Sequence, residues 1–154
     1  MLLSQNFTYA EAIRSTDGSR LGIVNEVPRE LIPRLSATAL MILQPCRDKY
    51  DRPIRPSSWY RSPELNKAVG GVDDSDHVEA EAVDFEVPGI DNLALAKWIR
   101  DNLEFNQLIL EHYVSGIPTS GWIHCSYTIQ IANRNEVLTI LKNGRVVRGL
   151  GDEG

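Results

Sequence analysis

Ser75-Asp76-His77-Val78-Glu79-Ala80-Glu81-Ala82-Val83-Asp84 is the stretch on which the reading of this 154-residue chain turns. Glu81 to Val87 alternates as a strand does, with Val83, Phe85 and Val87 on one face and Ala82, Asp84 and Glu86 on the other. His77 lies in the polar loop just before it, near enough to fold back beside Asp84. On spacing alone the pair says little, because a histidine and an aspartate seven apart occur often by chance. A loop histidine and a solvated strand carboxylate is the plainer account at this point.

Two later segments carry the same alternation. In Gln107 to His112, Leu108 and Leu110 suit a core, which leaves Gln107, Ile109 and Glu111 on the other face. His112 is expected opposite Glu111 and is given no role. In Trp122 to Tyr127, Ile123, Cys125 and Tyr127 are the core set, leaving Trp122, His124 and Ser126 opposite. Asp84, Glu111 and His124 thus fall on the face turned away from the apolar residues. Two imidazoles and a carboxylate would make a three-ligand zinc set with a fourth position open, the catalytic rather than the closed structural arrangement.

Around these strands the chain reads as helical. Thr8 with Glu11 is a capping-box pattern for a short first helix to about Ile13. Pro28 to about Tyr50 is the longest helical stretch, with Leu31, Leu35, Ile42 and Cys46 on its apolar stripe. Pro53 and Pro56 bracket an extended piece, and Ser62-Pro63-Glu64 opens a helix that stops at Gly70-Gly71. Asp91 to Asn102 supplies another helix. Asn143-Gly144 between apolar runs predicts a tight hairpin in the tail. The expectation is one α+β domain over residues 1–154, a mostly antiparallel sheet with helices packed on one face.

Composition narrows the function classes. Hydrophobic content of 42% and charged content of 24% suit a globular domain with its own core. A net charge of −5 without a Lys/Arg cluster argues against a nucleic-acid binder. Cys46 and Cys125 sit in apolar segments and read as buried thiols. No segment is apolar and long enough to span a membrane, so no stable membrane association is expected. The first residues lack the layout of a signal peptide, which predicts synthesis in a cytoplasm and action elsewhere only after release. A monomer is favoured.

The ordered motifs bring a resemblance. Ser57-Ser58-Trp59-Tyr60-Arg61-Ser62-Pro63-Glu64-Leu65-Asn66 resembles the S-G-Y-R-S-P-x-L-N stretch of the D-alanyl-D-alanine carboxypeptidase family of zinc peptidases. Ser75 to Asp84 resembles that family's S-x-H-x-x-G-x-A-x-D motif, and Trp122-Ile123-His124 its late W-x-H. The family includes zinc D-Ala-D-Ala carboxypeptidases and the L-alanyl-D-glutamate endopeptidases of phage endolysins, and it shares its fold with the Hedgehog signalling domain.

The resemblance implies one zinc ion on His77, Asp84 and His124. It implies that Arg61 binds the substrate's carbonyl or terminal carboxylate, a task suited to a guanidinium fork. Ser75 would order the loop around His77. Many members carry an acid three positions before the last histidine, where this chain has Gly121. The Hedgehog domain, whose I-H-C-S run matches Ile123 to Ser126, has its glutamate at the end of the preceding strand, which makes Glu111 the expected base. Ala80 replaces a usual glycine, at a cost of about 1 kcal/mol if that position takes a positive φ. Trp59, also in place of glycine, would floor a substrate groove or cover the core edge. The implied activity is zinc-dependent hydrolysis of peptidoglycan stem peptides or cross-links, as in a phage or prophage endolysin. A non-catalytic zinc-containing module on the same fold is the alternative.

Overall fold

The computed structural model describes residues 1–151; the last three residues of the expected domain lie outside the described residues. The N-terminal third is helical. Helix α1, Tyr9–Ile13, starts in the expected capping box, with both Thr8 and Glu11 contributing a bond. Helix α2, Thr16–Leu21, is capped by the Ser15 hydroxyl and stopped by Gly22 in the left-handed conformation.

The long helical stretch is less regular than its apolar stripe suggests. A 3-10 turn at Arg29–Leu31 leads into α3, Ile32–Thr38; a π turn at Ala39–Leu43 then joins it to α4, Gln44–Tyr50. Pro45 explains the widening. It has no N–H to offer and its ring would clash with the carbonyl four residues back, so the ladder shifts and the Gln44 N–H bonds Ala39 five residues behind. Helix α5, Pro63–Ala68, has the Ser62 cap and first-turn proline that its sequence announces, and α6 runs Asn92–Asn102.

Among the described residues, five strands form one sheet in the order β1-β3-β2-β4-β5. They are β1 Ala82–Phe85, β2 Gln107–Tyr113, β3 Trp122–Ser126, β4 Glu136–Leu141 and β5 Val146–Arg148. All pairings are antiparallel except β2 with β4. The tail hairpin therefore widens the sheet beyond β2 rather than covering the face of β1 and β3. Its turn places only Gly144 at positive φ, with the Gly144 N–H bonded to the Leu141 carbonyl. That is a longer loop with glycine in the left-handed position, not a two-residue Asn-Gly turn.

One sheet face and the helices share the core. Val83, Phe85, Leu108, Leu110, Ile123 and Cys125 pack there with Leu35, Ile42, Leu43, Leu95 and Ile99. The opposite face is where Asp84, Glu111 and His124 stand. Both cysteines are free thiols with no exposed surface. No helix of the described residues is long and apolar enough to cross a membrane.

Candidate metal centre and substrate cleft

Cross-strand register assembles the first pair of candidate ligands. Asp84 on β1 stands directly opposite His124 on β3, and its Oδ1 lies 2.9 Å from His124 Nδ1. The edge beyond β1 is closed by the extended piece after Pro56. There the Asp84 N–H donates to the Ser58 carbonyl at 2.7 Å, and the Ser57 N–H donates to the Asp84 carbonyl at 2.9 Å. The backbone carrying the aspartate is held from both sides.

His77 completes the set from the loop. Its Nε2 lies 3.2 Å from the same Asp84 oxygen, and its ring meets His124 edge-on at 5.2 Å. The other ring nitrogen, Nδ1, is 2.6 Å from the Trp59 carbonyl. A carbonyl only accepts, so Nδ1 carries a proton and Nε2 is the ring nitrogen turned toward Asp84. The loop is tightened by Ala80, which has φ +60° and donates its N–H back to the His77 carbonyl. The strain expected for alanine in place of glycine is therefore present. Ser75 acts inside this loop, accepting the His77 N–H on its hydroxyl at 3.3 Å.

The donor set fits a zinc ion. Bonds of about 2.0–2.1 Å in a tetrahedron put ligand atoms roughly 3.3 Å apart. One donor atom each from His77, Asp84 and His124 lies within 4.8 Å of the others, with the closest pairs at 2.9 and 3.2 Å. Electrostatics agree. Burial by itself would raise the Asp84 pKa, but hydrogen bonds from His124 and His77 and their charges hold it well below the carboxylate range. Burial would lower the His124 pKa, yet the Asp84 bond and charge leave it raised. The cluster concentrates negative charge that protons, or a cation, must balance.

Glu111 is on the same face. It pairs with Trp122 across the β2–β3 ladder while His124 pairs with Ile109, so Glu111 is a diagonal neighbour of His124. Burial, reinforced by Asp84, raises its pKa against the pull of His124. Gly121 has φ +73°, and a side chain there would collide with the Glu111 carbonyl. The position that often holds an acid in the family cannot hold one in this backbone.

His112 departs from expectation. The β2 register slips between Glu111 and Tyr113, and His112 takes φ +56°. This bulge sends Tyr113 into the core and leaves His112 exposed, stacked on Trp122 at 5.6 Å. His112 thus joins Trp122 instead of pointing away from Glu111.

Arg61 reaches the site from the Ser57–Asn66 stretch. Its backbone N–H donates to the His77 carbonyl at 3.2 Å. Its side chain lines a cleft of about 340 Å³ together with Asp84, Ser57, Ser58, Arg14 and Asp17. Burial lowers its pKa, an effect Asp84 opposes, and Nε is buried without a partner among the described residues. Gly71 is needed beside it, because a side chain there would strike the Asn66 amide and crowd the guanidinium.

Trp59 is corrected. Its side chain is 1% exposed and meets Phe7 edge-on at 6.3 Å, so it covers the core edge and cannot floor a groove. What it offers the site is the backbone carbonyl that fixes His77. Asn92 escaped sequence reading altogether. Its buried Nδ2 donates to Glu86 and to the carbonyls of Thr119 and Gly121, pinning the turn that leads into β3. One asparagine in a helix start carries no signal for such a clamp.

No curated protein matches the chain. A sequence model described as Peptidase M15 matches residues 5–126, a span that opens before α1 and closes with the last residue of β3. With this match over most of its length and a donor set suited to zinc on the open face of the sheet, the chain belongs to the Peptidase M15 family of zinc-dependent metallopeptidases.

Proposed function

We propose that this protein hydrolyses a peptide bond in the stem peptide or cross-link of bacterial peptidoglycan, as a phage or prophage endolysin. The observation that carries catalysis is Glu111: a carboxylate on the metal face, diagonal to His124, with its pKa raised by burial. Zinc bound to His77, Asp84 and His124 would supply Lewis acidity, polarising the scissile carbonyl and acidifying water. Glu111 takes a proton from the attacking water and delivers it to the leaving amine. Arg61 anchors the substrate's carbonyl or carboxylate in the cleft beside Asp84. The endolysin assignment rests on the resemblance of the three motifs.

The test is mass spectrometry of purified peptidoglycan fragments after incubation, with a parallel sample stripped of metal by a chelator. New fragments that vanish on stripping and return with zinc support the reading, and their masses name the bond. Zinc bound to folded protein without cleavage would move the non-catalytic module to first place.

A further inference from the structure

A second cavity adjoins the site and has no part in the chemistry above. It is an open hollow of about 490 Å³ that shares Ser57 with the Arg61 cleft, so the two are neighbours. Glu86, in its wall, lies two residues beyond Asp84 on the same alternation, about 7 Å further along the chain. Whatever occupies this cavity is therefore within one or two residues of a bond held at the metal.

The wall carries both signs of charge. Arg55 is exposed and, among the described residues, pairs with no carboxylate. Glu86 and Asp91 face the same space, and Asp91 makes no capping bond to α6 despite its position. Glu86 is held in place by the buried amide of Asn92, which donates to Oε1 at 2.8 Å. Asn92 also lines the cavity, and its own Oδ1 is buried with no partner among the described residues. A guanidinium and two carboxylates around one space complement a ligand that carries a carboxylate and an ammonium close together. Inside a peptide, such a group is a side chain that ends in a free α-amino carboxylate.

We propose that this cavity is a specificity pocket for a diamino-dicarboxylic residue of the diaminopimelate type, next to the scissile bond. Arg55 takes the side chain's carboxylate; Glu86 and Asp91 take its ammonium. The inference rests on the wall-peptidase reading and adds the type of stem peptide that is cut. A lysine side chain offers the ammonium alone and leaves Arg55 unsatisfied.

The test compares kcat/KM of the zinc-loaded protein on two soluble stem peptides that differ only in diaminopimelate against lysine. The expected preference for diaminopimelate is roughly 10–100-fold, the scale of a lost charge-assisted hydrogen bond. Arg55→Met should pull that ratio towards one, whereas Glu86→Gln should slow both peptides, since each carries the ammonium. Equal cutting of both peptides by the wild type, or an unchanged ratio in Arg55→Met, overturns the pocket and leaves the peptidase standing. Cutting of neither overturns the peptidase reading and the pocket with it.

Discussion

Gly121 packs so closely on the carbonyl of Glu111 that a single methyl group there would collide with it. The turn that leads into the His124 strand and the end of the Glu111 strand are thus locked together by the absence of a side chain. Candidate metal ligand and expected base are placed relative to each other by this contact and by the β2–β3 ladder.

Gly121→Ala tests the contact. A left-handed alanine costs roughly 1–2 kcal/mol, and the collision adds to it. The variant should unfold in urea with at least about 2 kcal/mol less stability and should lose activity. Near wild-type stability would show that the turn yields.

Glu111→Gln tests the expected base. It keeps size and burial but removes proton transfer, which is worth roughly 10²–10⁴-fold in rate. Metal analysis should find one zinc per chain in wild type and variant alike. Unchanged turnover would pass the role to another group.

The Asp84–His124 pair sets a pH window for the metal-free protein. His124 has a raised folded pKa, so its stabilisation is full below about pH 6.5 and is lost as pH rises through the folded value. Asp84 has a depressed one, so its stabilisation is present above about pH 3.9 and is lost as pH falls through the folded value. Metal-free protein should melt highest between these limits. Zinc needs neutral His124, so the zinc-induced rise in Tm should shrink on the acid side. A scan of Tm against pH, with and without zinc, reads both trends; a zinc shift that grows in acid would contradict the ligand set.

Both cysteines should be silent in the folded state. Burial pushes the Cys46 thiol up to about 12 and Cys125 well above the usual thiol value, and neither side chain is exposed. A thiol-reactive dye should label neither until denaturant is added, and then both. Rapid labelling of native protein would mean that the core opens.

Much of the local structure was legible because its causes are local. The Thr8 and Ser62 caps, the alternation of the three site strands and the face shared by Asp84, Glu111 and His124 follow from neighbours within a few residues. The His112 bulge was not legible. Alternation puts His112 in the core and Tyr113 outside, and only the packing of the large Tyr113 side chain inward forces the register to slip. Pro45 warns of a helix fault, but whether the chain kinks or widens into a π turn depends on what packs around it.

The sequence by itself determined the donor types, the sheet face that carries two of the three candidate metal ligands and the expected base, and the family motifs, since side-chain chemistry and period-two alternation are written residue by residue. Only the tertiary structure decided which atoms meet. It chose Trp59's carbonyl over its ring as the contribution to the site, gave His77 its tautomer, and brought Asn92 under the turn before β3. These are contacts between segments far apart in the chain, and the closing of the fold around a common core, not local propensity, sets them.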